Sequence, residues 1–301
     1  MNVGNPLSII LPARNEAVNL HPLLGKLTER FPEAEIIVVN DGSTDETVEI
    51  CRSFGARVVT HPYSLGNGAA IKAGARVARG ETLVFLDADG QHDPADIPRL
   101  LAKLEEGYDM AVGARRDHSQ ASWGRGVANR IYNRLASWMT NYQVLDLTSG
   151  FRAVRAERFR EFLYLLPNGF SYPTTITMAF FRSGYPVAYV PIVAGRREGK
   201  SHIQPLQDGV RFLLIIFKIG TLYSPLKLFF PVSLGFFLLG LVYYVHTYVV
   251  EHRFTNMGTL LFSIAVLVFL MGLVSEQITS LFYQQSGGGE EGCHPTGKNI
   301  R

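Results

Sequence analysis

Short apolar runs alternate with helical patterns through the first third of the chain. Leu7–Leu11, Glu35–Val39, Arg57–Thr60, Thr82–Leu86 and Asp109–Ala114 are brief and partly β-branched, and each stops at a polar or proline-bearing segment. That pattern predicts five strands. Helical patterns fall between them, at Ala17–Arg30, in the small-residue stretch Ala69–Ala78 and at Pro94–Glu106. Asn40–Thr47 turns into a further helix, where Ser43 and Glu46 have capping-box spacing and predict a start near Thr44. Strand and helix alternate four times, which predicts an α/β domain, Rossmann-like, with a largely parallel sheet and helices on both faces.

The pattern then changes. Val127, Ile131, Leu135, Trp138 and Tyr142 recur at helical spacing, with Asn129, Arg130, Asn133 and Arg134 on the other side. Such a helix either faces the core or lies on a membrane surface with its arginines at phosphates. In Gln204–Tyr223, Arg211 and Lys218 bracket an apolar run too short to span, Phe212–Phe217, and predict an in-plane interfacial helix. Leu228–Val250 and Phe254–Ser275 contain no Asp, Glu, Lys or Arg and are long enough to cross a bilayer. Buried helices of a soluble domain are the alternative. Glu251-His252-Arg253 between them leaves room only for a hairpin turn. Basic residues collect before the first run, at Arg196, Arg197, Lys200, Arg211, Lys218 and Lys227. The positive-inside rule puts that side, and with it the C-terminus, in the cytoplasm.

Composition narrows the picture only locally. The net charge of +3 over 301 residues gives no broad nucleic-acid signature. Cys51 and Cys293 lie far apart with no CxxC spacing, which argues against zinc and disulfide frameworks and suits a reducing compartment. Met1–Pro6 has no secretory pattern, so the first domain is expected in the cytosol. Ser286–Gly289 is the one low-complexity piece.

The chemistry centres on Asp87-Ala88-Asp89-Gly90. In an extended segment, side chains two apart share a side, so both carboxylates can reach one hard divalent cation. The strand-exit position fits too, since open parallel sheets bind ligands beyond their carboxyl ends. A plain polar turn is the alternative. Pro94 suits a first helical turn, and Asp93 suits its cap.

Pro12-Ala13-Arg14-Asn15-Glu16, Asn40-Asp41-Gly42-Ser43-Thr44-Asp45 and Asp87-Ala88-Asp89-Gly90 resemble, in order and interval, the family 2 glycosyltransferases of GT-A fold. Asp146-Leu147-Thr148-Ser149-Gly150-Phe151-Arg152 and Arg196-Arg197-Glu198-Gly199-Lys200-Ser201 resemble the polyprenyl-phosphate sugar transferases within it. The resemblance covers about Leu7 to Lys227, and two terminal spans occur in some members. It implies a metal-dependent, inverting transfer of one sugar from a nucleotide-diphosphate donor to a polyprenyl phosphate, dolichyl or undecaprenyl. Pro12, Ala13, Asn15, Glu16 and Asp41 would contact the nucleoside; Asp41 alone also reads as a turn former. Asp87, Asp89 and Gln91 would hold Mg²⁺ or Mn²⁺ at the diphosphate, with Ala88 beside the nucleotide; an exposed turn residue is the other reading of Gln91.

Arg115, Arg125 and Arg152, assisted by Asn129, are the candidates for the acceptor phosphate, because arginine forks suit phosphate oxygens. Asp89, Arg115 and Arg152 form the expected catalytic set. Arg196, Gly199 and Ser201 resemble a loop that closes over the donor. A basic loop binding anionic lipid is the other reading there. This chain departs from the family at Asn67 and His202, where lysine is usual, and matches the local pattern poorly around Arg125. Lys72 is either a replacement charge or a solvated helix residue.

The expected division is a catalytic domain over 1–203, an interfacial helix over 204–226, a membrane hairpin over 227–284 and a tail over 285–301. Bilayer lipid is an expected partner, nucleic acid is not, and oligomeric state is open. Two rivals remain. A processive polysaccharide synthase shares the donor motifs but carries Gln-x-x-Arg-Trp, which neither Trp123 nor Trp138 completes. A non-enzymatic scaffold would not need both Asp87 and Asp89.

Overall fold

The computed structural model describes residues 6–115, 123–169, 172–193, 217, 220–221, 223–252 and 255–287. The chain divides into two compact units, Met1–Ile219 and Gly220–Arg301.

In the first unit a seven-stranded sheet runs β3-β2-β1-β4-β6-β5-β7. Its strands are β1 (Leu7–Ala13), β2 (Glu35–Asn40), β3 (Arg57–Thr60), β4 (Thr82–Phe85), β5 (Met110–Arg115), β6 (Arg152–Arg155) and β7 (Val187–Ile192). Ile9, Ile10, Leu11, Ile37, Val38 and Val39 are fully buried, so both faces of the central strands are covered, as their unbroken apolar runs require. Helix α1 (Ala17–Arg30) covers one face with Leu20, Leu23, Leu24 and Leu27, one helical stripe. Helices α2 (Thr47–Ser53), α3 (Asn67–Val77) and α4 (Ile97–Glu105) complete the alternation.

The sheet is mixed. β1 pairs in parallel with β2 and β4, β2 with β3, and β5 with β7. β6 slots antiparallel between β4 and β5. It is four residues long with arginine at both ends, so no apolar run announces it. β7 carries Pro191, which an edge strand tolerates.

Helix α2 begins at Thr47, three residues beyond the expected start, and its first N–H is taken by Asp45, the residue before its N-cap Glu46, and not by Ser43. Asp45 Oδ1 accepts from the Thr47 N–H (3.2 Å) and hydroxyl (2.6 Å). Its Oδ2 accepts from Ala17 N at the start of α1 (3.1 Å), so one carboxylate serves two helix N-termini. Ser43 Oγ instead accepts from Asn15 N (3.0 Å). Pro94–Asp96 forms a 3₁₀ turn capped by Asp93, which accepts from Ala95 N (3.0 Å), and α4 follows it.

Helix α5 (Trp123–Thr140) buries Tyr132, Ala136 and Met139. Ile131 and Trp138 are exposed, as is Tyr142 just beyond the helix, so this part of the apolar stripe does not face the core. Helices α6 (Ala156–Arg160) and α7 (Tyr172–Arg182) close the unit, and Tyr172 through Phe181 is buried.

The second unit is a helical hairpin. Helix α8 (Pro225–His246) runs into a π-type turn at Thr247–Glu251, His252 takes a left-handed φ of 51°, and α9 (Asn256–Gly287) returns. Ser233 Oγ donates to Ala265 O (2.8 Å), Leu226 N donates to Glu276 Oε2 (3.3 Å), and Phe230 and Phe237 meet Phe269 and Phe262. Pro225–Val250 and Asn256–Leu281, 26 residues each, are apolar and mostly exposed, unlike soluble core helices. At 1.5 Å per residue each measures about 39 Å, enough for a hydrocarbon core of about 30 Å. Helix α9 runs through residue 287, three residues into the expected tail; the rest of that tail and most of the expected interfacial helix fall outside the described residues.

Candidate active site

The topology gathers five loops at one sheet edge. Ala13 lies opposite Asn40, and Asn40 opposite Thr60, so the segments after β1, β2 and β3 leave together. β4 leaves beside them. β6 runs the other way, with Arg152 opposite Phe85, and this brings Asp146–Phe151 to the edge where Asp87 emerges. β5 ends there with Arg115, paired to Asp146. The chain turns from β2 on one side of β1 to β4 on the other, a switch point of the kind at which α/β sheets bind ligands.

On the β1–β2 side the polar residues hold the chain. Asn15 has φ 54°, a left-handed conformation that asparagine tolerates, and its Oδ1 accepts from Thr44 N (2.8 Å). Glu16 Oε2 accepts from Asn19 Nδ2 (2.7 Å), and Arg14 Nη1 donates to Ser64 Oγ (3.1 Å). Asp41 is buried and fully engaged. Its Oδ1 meets His61 Nδ1 (2.8 Å) and Leu65 N (2.8 Å), and its Oδ2 meets Ser64 Oγ (2.7 Å) and Gly66 N (2.9 Å). Burial pulls its pKa up, but these hydrogen bonds outweigh burial and hold it down at about 2. The Asp41 carboxylate therefore shapes the His61–Gly66 loop and does not present an open acceptor to a nucleoside. Pro12 and Ala13 end β1 beside it.

The glycine segment after β3 is likewise closed by the chain itself. A Cβ on Gly68 would lie 2.0 Å from Pro167 O, so only glycine fits. Lys72 Nζ donates to Leu166 O (3.0 Å) and to Asn168 Oδ1, and so pins that same loop.

The β4–β6 side is built differently. β4 stops at Phe85, and Ala88 and Asp89 sit in a turn, so the two aspartates are not on one extended strand. Asp87, Asp89 and Gln91 are all half-buried, and Gln91 N donates to Asp89 Oδ1 (3.2 Å). Gly150 packs against Asp87, for a Cβ there would lie 2.6 Å from Asp87 Oδ2. These oxygen donors fit a hard divalent cation. Among the described residues no group of three or more His, Cys, Asp and Glu comes together, so a cation at Asp87 and Asp89 would take further ligands from Gln91, water or a bound phosphate.

Arg115 grips Asp146 with two hydrogen bonds (Nε to Oδ2 2.8 Å, Nη2 to Oδ1 3.0 Å), and Nη2 also donates to Thr148 Oγ1 (2.6 Å). Burial opposes both charges, but the pairing outweighs it: Asp146 stays below the usual carboxylate range and Arg115 above its own. Nη1 of Arg115 has no hydrogen-bond partner among the described residues, and the side chain is 26% exposed.

Arg152 corrects the expectation of a phosphate-facing arginine. It is fully buried behind the edge, where Nη2 donates to Ser149 O and Nη1 to Pro173 O (3.2 Å) and Thr177 Oγ1 (3.2 Å). His92 is buried against Phe151, their rings 5.1 Å apart, and burial pushes its pKa down to about 4. His92 Nδ1, Ser149 Oγ, Arg152 Nε and Tyr189 OH are buried without a hydrogen-bond partner among the described residues.

Arg125 and Asn129 lie on α5 with side chains outside the described set, and Arg196 and Ser201 fall outside it altogether. Asp146 and Thr148 were not singled out from the sequence as site residues, although both stand in the Asp-Leu-Thr-Ser-Gly-Phe-Arg segment. Tyr189 had no sequence signal of its own.

This chain belongs to glycosyl transferase family 2, whose model matches residues 8–163. The GtrB C-terminal hairpin model matches residues 224–281. The chain is similar to Glycosyltransferase AglJ of Haloferax volcanii, 29% identical over 95% of this chain and 97% of the relative. It is 30% identical to the polyprenol monophosphomannose synthase of Mycolicibacterium smegmatis, over 63% of this chain and 77% of that one. It is 34% identical to the undecaprenyl-phosphate 4-deoxy-4-formamido-L-arabinose transferase of Proteus mirabilis, over 50% and 49%. Among solved structures, glucosyl-3-phosphoglycerate synthase from Mycobacterium tuberculosis in complex with Mn²⁺ and UDP-glucose shares the fold. The TM-score is 0.58 at 24% identity, covering 72% of this chain and 78% of that one.

Proposed function

We propose that this protein transfers a single sugar from a nucleotide-diphosphate sugar to a polyprenyl phosphate, with inversion, at the cytosolic face of a membrane. The observation that carries the reading is the meeting of Asp87 with Gly150, and of Arg115 with Asp146, at one switch-point edge of a family 2 chain. The hairpin and the relatives named for polyprenol monophosphate and undecaprenyl phosphate support the acceptor.

The nucleoside would lie against Pro12, Ala13 and Glu16, in a pocket whose walls Asn15 and Asp41 brace. Asp87, Asp89 and Gln91 would hold Mg²⁺ or Mn²⁺, and Ala88 would line the nucleotide. When bound, the ion screens the negative charge on the departing diphosphate. An acceptor phosphate is largely ionised near neutral pH and needs no strong base. It needs a cation that holds it in line despite repulsion from the donor, and Arg115 offers Nη1 for that task. Arg125, Asn129, Arg196 and Ser201 would complete the enclosure. The exposed Ile131, Trp138 and Tyr142 would rest on the bilayer. Residues 1–203 then form the catalytic part, 227–284 the anchor and 285–301 a cytosolic tail.

The test is product analysis. The purified full chain is incubated with Mn²⁺, a panel of UDP- and GDP-sugars and a polyprenyl phosphate. A lipid carrying one sugar on its phosphate, made with one of the donors, is the expected product. A polymer, or no lipid-linked sugar from any donor, would refute the reading.

A further inference from the structure

Arg152 presents a physical puzzle. Removing a guanidinium from water is costly, and buried arginines ordinarily sit against carboxylates. Arg152 is fully buried, yet among the described residues its hydrogen-bond partners are the carbonyls of Ser149 and Pro173, the Thr177 hydroxyl and the Met110 sulfur. Its Nε has no hydrogen-bond partner among them. Tyr172 lies under the guanidinium, 5.7 Å from ring centroid to Cζ, and the Tyr172 hydroxyl donates to Gly150 O (3.2 Å).

The strand register gives this arrangement its direction. Arg152 opens β6 opposite Phe85, two residues before Asp87. Ser149 O is held by Arg152 and Gly150 O by Tyr172, so the peptide on each side of Gly150 is fixed from below. Gly150 in turn is the residue pressed on the Asp87 carboxylate, with no room for a Cβ. Thr177 and Pro173 tie the same guanidinium to α7.

We propose that Arg152 is a positioning residue: its buried guanidinium, with Tyr172, clamps the Ser149–Gly150 turn against Asp87 and so sets where that carboxylate meets a divalent cation. This rests on the reading of Asp87 and Asp89 as cation ligands. It removes Arg152 from the acceptor phosphate and gives it a role exerted through Gly150.

The test measures Mn²⁺ affinity directly, by the electron paramagnetic resonance signal of free Mn²⁺, on the full chain in detergent with UDP or GDP present and no turnover. Wild type, Arg152→Met, Arg152→Lys, Gly150→Ala and Asp89→Asn are compared, with thermal unfolding as a check on folding. Arg152→Met should weaken Mn²⁺ binding at least tenfold. Arg152→Lys, which can still donate to Ser149 O, should recover most of that loss even where its unfolding temperature falls equally. Gly150→Ala should weaken binding by a similar factor with Arg152 intact. A folded Arg152→Met protein with wild-type affinity overturns the proposal. Should Arg152→Met fail to fold, wild-type affinity in Gly150→Ala overturns it instead. If wild type binds no Mn²⁺, or Asp89→Asn binds it equally well, the underlying reading of the site falls, and this inference falls with it.

Discussion

The two sides of the cleft differ in how completely their buried polar groups are satisfied. On the β1–β2 side, Asp41 and Asp45 spend every carboxylate oxygen on the chain itself, four hydrogen bonds at Asp41 and three at Asp45. On the β4–β6 side, His92, Ser149, Arg152 and Tyr189 each keep a buried polar atom without a partner, and Arg115 keeps an amine unused among the described residues. Buried polar groups are normally satisfied, so unsatisfied ones concentrated on one side mark where a fold accepts instability for function. The contrast separates a wall, rigid before any ligand arrives, from a face organised around charge that comes with the ligand.

Substitutions on the two sides should therefore fail differently. The largest effect is expected at Asp89. Asp89→Ala should lower transfer at least a thousandfold while the unfolding temperature stays within a few degrees, measured as glycolipid formed per minute alongside thermal unfolding. Chelation should abolish turnover in the wild type, and added Mn²⁺ or Mg²⁺ should restore it.

Arg115 comes next. Arg115→Met leaves Asp146 buried without its partner and should cost about 3 kcal/mol of stability together with most activity. Adding Asp146→Leu removes the unpaired carboxylate and should recover only part of that stability, because the Arg115 and Thr148 N–H groups lose their acceptor, and should leave activity lost. Recovery of activity in the double variant would move the acceptor phosphate away from Arg115.

Asp41 should behave as part of the wall. Asp41→Asn should destabilise by about 2 kcal/mol at pH 7, the worth of a shift from the usual carboxylate value to about 2. The sign is fixed by the direction: a depressed folded pKa contributes stability above the unfolded value of 3.8, lost as pH falls toward 2. Denaturant unfolding at pH 7 and pH 3 should show the gap between wild type and variant narrowing at the lower pH. A gap that holds constant would mean the carboxylate is not held by those bonds. The smallest effect is expected at Arg14, exposed with a single bond to Ser64, where alanine should cost no more than about 0.5 kcal/mol.

The sequence shows β1 to β5 and the two long terminal helices because each is a continuous apolar run whose period or length reports burial or a bilayer. It hides β6, whose four residues begin and end with arginine and whose pairing to β4 and β5 is set by distant partners. That omission matters for the site. Arg152 reads along the chain as an arginine behind a flexible Ser-Gly turn, but only its place in the sheet shows it to be buried. Asp45 and Ser43 are two residues apart with equal capping credentials, and their roles were decided by where Asn15 and Ala17 arrived. The carboxylate pair was legible as a motif, but its geometry was not, because β4 ends before Asp87.

A structure of the full chain with Mn²⁺ and a uridine or guanosine diphosphate bears on the central claim most directly. The account predicts the ion between Asp87 and Asp89, touching the diphosphate, with the nucleoside against Pro12 and Ala13. An ion bound elsewhere, or a nucleotide whose diphosphate lies away from Asp87 and Asp89, would contradict it.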